Sequence, residues 1–439
     1  MQSFSYRSFL ATTALCCLPT LSAHAAPMGG VVSAGDALIG QAGSITTIAQ
    51  GSDRAAIDWQ SFNVGANESV VFQQPSSSAI TLNRIHDQNP SQILGSIKAN
   101  GQIILSNPNG MLFGKDSKVD VAGLVATTAS IGNDAFMQGG PLKLTIPGKA
   151  DASIIANGSI TAKDAGLVAL LAPNVENNGI ITAKLGKVQL AGAETATVDL
   201  YGDGLVSLAV TNATETSVTH TGTIQAQYVA LTAADASQLI DSTVNVNGII
   251  DANDARTNND GTLTFGGKIE VTARDVTLES KARLRATGKD GGGIVKVGGG
   301  WQGKGTISNA KNTTVKSGAR INASAIHNGD GGTVAVWSDD TTQFDGTILA
   351  HGGPIGGNGG HVETSGKINL GLTGSADASS AWGTPGEWLL DPRNVIIQNN
   401  AVAGVENNVP AGGGVVNAPS DTYRISAESI GVALSAGNN

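Results

Sequence analysis

The sequence predicts an all-β solenoid on three observations: short runs of β-forming residues, corners rich in Gly and Asn between them, and a unit recurring about every twenty residues. From about residue 30 onward, apolar β-formers alternate with small or polar residues. Asn-Gly, Asp-Gly and Gly-Gly pairs punctuate the runs, and helical periodicity is nearly absent. Strands are expected at Val70–Phe72, Ile103–Leu105, Leu167–Leu171, Lys187–Ala191, Val229–Thr232, Lys268–Val271 and Thr333–Trp337.

The repeat is explicit. Asn157-Gly158-Ser159-Ile160-Thr161-Ala162-Lys163 returns as Asn178-Gly179-Ile180-Ile181-Thr182-Ala183-Lys184, and degenerate copies begin at Gly222 and Gly248. A longer unit joins Asp290-Gly291-Gly292-Gly293 to Asp330-Gly331-Gly332. One such unit cannot bury its own apolar residues, but stacked units share a continuous core. At a strand spacing of ~4.8 Å, roughly 15 to 20 rungs would make a rod on the order of 70–100 Å long. Gly is expected to supply positive φ at the corners, and Asn to stack as hydrogen-bonded ladders. Separate β-sandwiches are the competing architecture, but they would be expected to carry larger core aromatics. Residues 30–145 hold bulkier side chains (Trp59, Phe62, Phe72, Phe113) and read as a cap plus the opening rungs, because an uncovered first rung invites edge pairing.

Composition narrows the function. The 439 residues include 59 Gly, with 4% aromatic and 14% charged residues, against about 25% charged in an ordinary domain. The net charge of −9 leaves no basic stripe for nucleic acid. Residues 1–25 read as a signal peptide: Arg7, an apolar run from Phe9 to Leu21, and Ala23-His24-Ala25 before the cut. Both cysteines, Cys16 and Cys17, fall in that leader, so the mature chain lacks a thiol nucleophile, a disulfide and a Cys-ligated metal. No later segment is long and apolar enough for a membrane anchor.

The N-terminal segment carries an ordered motif series. Ile57-Asp58-Trp59-Gln60-Ser61-Phe62-Asn63-Val64-Gly65 is followed by Val70-Val71-Phe72, Asn83-Arg84-Ile85, Ile93-Leu94-Gly95-Ser96-Ile97 and Gly101-Gln102-Ile103-Ile104-Leu105. Asn107-Pro108-Asn109-Gly110-Met111-Leu112-Phe113-Gly114 and Val119-Asp120-Val121-Ala122-Gly123-Leu124-Val125-Ala126-Thr127 complete it. In order and spacing the series resembles the filamentous-haemagglutinin-type secretion domain of two-partner secretion exoproteins. The resemblance implies that residues 26–270 form a right-handed parallel β-helix with an N-terminal cap. It implies export through the periplasm to the cell surface or medium, and recognition by a cognate outer-membrane β-barrel transporter. The family's Asn-Pro-Asn-Gly turn falls on Asn107, Pro108, Asn109 and Gly110, and its Asn-Arg-Ile stretch on Asn83, Arg84 and Ile85. A second Asn-Pro-Asn-Leu turn found in some members is not evident. Taken as residues alone, the turn is a rung corner, with Pro108 presetting φ and Asn109 and Gly110 tolerating left-handed backbone. Whether it serves export, folding or both stays open at this point.

Residues 271–439 resemble passenger repeats of the same group, some of which are adhesins or haem-acquisition proteins; a host receptor, a glycan or a haem carrier is the expected class of partner. The last residues, with a helix-like stretch from Ser426 to Leu434, read as a rung broken off before its strand, as in a truncated chain. The alternative function is a polysaccharide-active enzyme on the same scaffold. Its acids would be Asp339, Asp340, Asp345 and Glu363 near His361, but Asp339 and Asp340 look like turn residues. The chain is therefore expected not to be an enzyme and to need no cofactor. His86, His220, His327 and His351 read as solvated turn residues with no metal-ligand spacing. The Gly-rich stretches 288–300 and 352–360 lack phosphate-loop or calcium-repeat residues and read as corners. Trp301, Trp337, Trp382 and Trp388 are expected to pack against loops, with a carbohydrate-stacking surface as the alternative.

Overall fold

The computed structural model describes residues 26–390 except 164, 201–203, 210–214, 235–240, 254–255, 258–262 and 265, and beyond them the strands Ile396–Gln398 and Arg424–Ser426. The expected leader and the helix-like stretch after Ser426 lie outside the described residues. Within them, every expected strand is present, slightly longer than the sequence alone indicated.

The chain winds as a parallel β-helix with three strand columns. The first column holds Ile97, Val119, Ile160, Ile181, Ile224, Ile250, Leu284, Ile321, Ile348 and Ala376 in consecutive parallel register. All of them are buried. The second column runs from Arg54–Trp59 through Ile80–Ile85, Gln102–Ser106 and Gly123–Thr127 to Thr333–Ser338, His361–Gly366 and Glu387–Leu389. The third stacks Ile93, Phe113, Ala156, Asn177, His220, Val246, Leu278, Val315, Phe344 and Leu372. Alternation along each strand sends one set of side chains inward, and the three inward sets form one core along the rod. The strand Lys268–Thr272 pairs in parallel on both sides, so the stack runs unbroken across residue 270.

The third column is a sheet of 12 strands, which makes a described rod of roughly 50–60 Å at the parallel strand spacing. The described residues make 12 rungs, fewer than the expected 15 to 20. That expectation took its period from the one pair of perfect repeats, stacked 21 residues apart, whereas the next step takes 43. The extra residues leave the stack as excursions. One of them is the antiparallel sheet of Leu142–Leu144, Thr195–Asp199 and Gly204–Ala209, and another is the short helix Asn133–Gln138 that the sequence reading missed. Its Phe136 is buried, with the Arg54 guanidinium 5.1 Å from the ring centroid.

These excursions lie on the outer face of the second column and make a second core there. Leu82, Ile104, Val125 and Ala169 form an outward row in register, and they pack with Phe136, Leu142, Leu144 and Val198. Strands covered on both faces read as continuous apolar runs, which is why Leu167–Ala172 shows no polar alternation. Farther along, the same row becomes Gln189, Ala230, Glu270, Lys296, Ala335 and Glu363.

At the N-terminus the parallel order gives way. Val31–Ala34 pairs antiparallel with Arg54–Trp59, and Ala37–Ala42 forms a hairpin with Ile45–Gln50, whose second strand starts the first column against Ser69–Gln73. This is the expected cap.

Positive φ occurs at corners such as Gly110 and Gly318, but the stacked glycine ladders have a different cause. Gly158, Gly179, Gly222 and Gly248 form one ladder, and Gly267, Gly293, Gly332, Gly360 and Gly386 another; none of them has positive φ. Instead, each carbonyl before the last of its ladder accepts the N–H of the residue that follows the next ladder glycine, as in Ile180 to Gly158 at 3.0 Å and Thr223 to Gly179 at 2.9 Å. That bond draws the oxygen beneath the next glycine, so a Cβ on Gly179 would sit closer than 3.0 Å to the Gly158 oxygen. Asn157, Asn178 and Thr221 form the expected side-chain ladder beside it, with bonds of 2.9 and 2.5 Å.

Gly179→Ala is expected to cost about 1–3 kcal/mol or more, because backbone must shift to admit the methyl. Gly40→Ala, whose Cβ would meet nothing within 4 Å, should stay within about 0.5 kcal/mol of the parent. Denaturant midpoints check this, and equal midpoints for the two variants would remove the ladder's steric role.

Candidate functional site

The Asn107–Gly110 turn follows the strand Gln102–Ser106 and feeds Met111–Phe113. The Gly110 N–H donates to the Asn107 carbonyl at 3.0 Å, which closes a four-residue turn. Gly110 has φ 97°, and a Cβ there would also clash with the Ser153 backbone of the next rung, so both conformation and space require glycine. The Asn107 side chain is fully buried. Its Oδ1 accepts the Asn109 N–H at 2.9 Å, while its Nδ2 donates to Ser91 Oγ at 2.9 Å and the Asn89 carbonyl at 3.2 Å. Asn109 Nδ2 donates to the Asp87 carbonyl at 2.6 Å, and on the other side Lys149 N–H donates to the Pro108 carbonyl at 2.9 Å. The two asparagines therefore tie the turn to the preceding loop, and Pro108 ties it to the following one. Only Pro108 and Asn109 keep part of their surface in solvent.

Asn83, Arg84 and Ile85 lie one rung earlier, on Ile80–Ile85. Asn83 is buried; its Oδ1 accepts Trp59 Nε1 at 3.0 Å and its Nδ2 donates to the Ile104 carbonyl at 3.2 Å. Ile85 points into the core in register with Trp59. Arg84 faces outward and bonds both oxygens of Asp58 at 2.9 Å, the Ile131 carbonyl at 3.2 Å and Ser33 Oγ at 3.2 Å. One guanidinium thus fastens the cap strand and the excursion to the second column. His86 adds a 2.8 Å contact to the same carboxylate. Burial alone would raise the Asp58 carboxyl, but hydrogen bonds from Arg84, Ser33 and His86 and the Arg84 charge together hold it down at about 2.

The structure does not bring the two stretches into one pocket: Asn83 and Ile85 are core-facing, Arg84 joins the cap, and Asn107–Gly110 forms a separate corner. Sequence reading missed Asp58, Ser33 and Ile131 as partners, because the contacts span 26 to 51 residues. Asp58 precedes Arg84 by 26 residues, and rung register sets the two side by side.

Three acids of the enzyme reading are engaged by separate hydrogen-bond partners. Asp339 accepts Trp337 Nε1 at 3.1 Å, Asp345 accepts Gln343 Nε2 at 2.6 Å and Thr373 Oγ1 at 2.5 Å, and buried Glu363 accepts the Gln302 N–H at 2.7 Å. The solvated-histidine expectation fails for His220, which is buried in the third column. Its Nδ1 accepts Asn177 Nδ2 at 3.1 Å and its Nε2 donates to the Ile249 carbonyl at 3.1 Å, and burial holds its pKa below the usual value. Spacing from the inward Val218 was the available signal: two residues on, His220 shares its face. Trp337 packs against Gly299 and Gly303 as a loop contact, whereas Trp382 stands 77% exposed. No group of three or more metal-ligating side chains occurs among the described residues. No helix among them is long and apolar enough to cross a membrane.

The family model described as the TPS secretion domain matches residues 23–278. A heme/hemopexin-binding protein of Haemophilus influenzae is 34% identical over 272 residues, and a second protein of that name and species is 27% identical over 304. The matches cover 60% and 64% of this chain but only 29% and 31% of those proteins. Among solved structures, the HMW1 secretion domain from Haemophilus influenzae matches with a TM-score of 0.61 and 28% identity, over 83% of this chain and all of that one.

Two outcomes are expected. Asn107→Ala should destabilise the folded chain by about 1–3 kcal/mol, since it strands the Asn109 N–H and the Ser91 hydroxyl; an unchanged denaturant midpoint would show the turn to be held otherwise. Asp58, depressed to about 2 from 3.8, contributes stability that is present above pH 3.8 and lost as pH falls through 2. Asp58→Asn should accordingly be about 1–2 kcal/mol less stable than the parent at pH 7, with the gap closing near pH 2. A gap that does not change with pH would rule out the charged pair as its source.

Proposed function

The chain belongs to the TPS secretion domain family of two-partner secretion exoproteins, and from that premise we propose that its N-terminal region addresses it to an outer-membrane β-barrel transporter while the rest serves as a ligand-binding shaft. The observation that carries this reading is the unbroken register from the cap to Glu387–Leu389, with the family match confined to its first part. One rod then holds an address at one end and a surface to display at the other. The ligand we infer is haem or a haem-carrying protein, on the strength of what the two relatives are named for; adhesion to a host surface is the other passenger role the family offers.

Burial of Asn107 bears on when the address is read. Its amide is enclosed by Ser91 and Asn89 once the rungs close, so a transporter that reads this side chain does so on the unfolded chain. Passage before folding also suits a chain with no cysteine after Cys17. Folding outside then removes apolar surface from water rung by rung, at ~25 cal/mol per Å², and disfavours return.

Deleting the partner transporter should leave the protein in the periplasm, and immunoblots of medium and periplasm read this directly. Undiminished appearance in the medium would sink the proposal.

A further inference from the structure

The net charge of −9 conceals a local excess of the opposite sign. Residues 281–320 hold nine of the 26 Lys and Arg but one acid, Asp290. On either side the balance reverses. Residues 241–280 hold seven acids and three Lys or Arg, and residues 321–366 hold five acids and no Lys or Arg. In the stack, the cationic segment runs between two adjacent first-column strands, Arg283–Arg285 and Arg320–Asn322. The cations therefore form a band about 10 Å deep between acidic neighbours.

Part of the band is neutralised across rungs, Arg285 by Asp251, Lys296 by Glu270 and Lys316 by Glu279. What is left concentrates on the outer face of the first column. Lys281, Arg283 and Arg285 point outward there, with Ala282 and Leu284 buried between them. Parallel register sets Arg320 beside Arg283. Lys281, Arg283 and Arg320 make no ion pair among the described residues. Like charges side by side on a sheet are destabilising, so stability alone does not account for this pair. Arg283 is also held in place: its Nη1 donates to the Ala282 and Gly318 carbonyls at 2.8 Å and to the Ser280 carbonyl at 3.2 Å. That fixes the guanidinium across the corner and leaves its Nη2 and Nε donors for another acceptor.

The chemistry of this face selects its ligand. Two guanidinium forks lie on adjacent strands, and such forks match a carboxylate with two parallel bonds. The large apolar neighbours Leu284 and Ile321 are buried, so nothing here inserts into lipid or anchors a protein partner. The outward rows Ile249–Arg283–Arg320–Thr347 and Asp251–Arg285–Asn322–Leu349 hold no aromatic ring to stack a base. The acidic neighbours on both sides repel a duplex, which carries one charge per about 1.7 Å. We propose that Lys281, Arg283 and Arg320 bind the carboxylates of an acidic polysaccharide, a polyuronate that crosses the rod along the strand direction. This ligand class is additional to haem and does not depend on it.

The test is biolayer interferometry of the purified full-length chain on immobilised polygalacturonate. Neutral dextran, polyglutamate, duplex DNA and phosphatidylglycerol vesicles serve as competing surfaces. The parent should bind polygalacturonate and not dextran, and salt should weaken the binding steeply. Charge reversal at two exposed positions, Lys281→Glu with Arg320→Glu, should weaken it by about tenfold or more. The milder pair Lys281→Gln with Arg320→Gln should weaken it by about threefold. Lys98→Glu with Lys118→Glu makes the same charge change on the same column near the cap and should leave binding unchanged. Equal denaturant midpoints confirm that the variants fold. No binding to polygalacturonate, binding that ignores salt, or an equal loss from the two Glu pairs overturns the proposal. Tighter binding to polyglutamate, DNA or the vesicles overturns it in favour of that partner. None of these results bears on the haem reading or on export.

Discussion

Successive rungs of this protein meet at corners where the carbonyl oxygen of one glycine lies beneath the Cα of the next. The hydrogen bonds that place it there, such as His361 N–H to Gly332 and Glu387 N–H to Gly360, are the same bonds that begin each parallel pairing. Register follows from them. A shift of one residue would put Ile181 or Val362 into solvent and a polar neighbour into the core. The corners therefore decide which face each side chain takes, and the core, the covered outer face and the His361–Glu387 pair all inherit that decision.

The two halves of the second column use their outer face differently. Near the cap, apolar residues there are sealed by the helix Asn133–Gln138 and the three-stranded excursion, and Arg84 fastens cap, column and excursion with one side chain. Beyond Ala169 the row mixes polar residues with Ala230 and Ala335, and Glu270 sits in a network with Lys268, Lys296 and Tyr228. Burial would raise the Glu270 carboxyl, but these partners hold it below its usual value.

The same logic links folding to export. A solenoid gains its contacts with the neighbouring rung, so it can form progressively from whichever end is available. An N-terminal hairpin cap gives the first rung a partner and shields an edge that would otherwise pair with other chains. The buried asparagines 107 and 83 have their bonds only in the assembled stack, so the turn that resembles a family address is also a part the fold cannot spare. In the proposed reading, structure and address are two uses of one corner at different times.

The sequence by itself determined the solenoid class, the strand positions and the ordered motif series, because alternation and corner composition are local properties that each rung writes into its own residues. It also placed the Asn157–Asn178 ladder, since those two rungs repeat without insertion. It did not determine how many rungs there are, because excursions lengthen the step between stacked residues unevenly. Nor did it determine why the corner glycines are needed: close approach is a relation between rungs, and no single rung records it. Only the tertiary structure joined Asp58 to Arg84, buried His220 against Asn177, and set His361 between Trp301 and Glu387. Each of those contacts crosses 26 or more residues, and register across the stack is what brings such residues together.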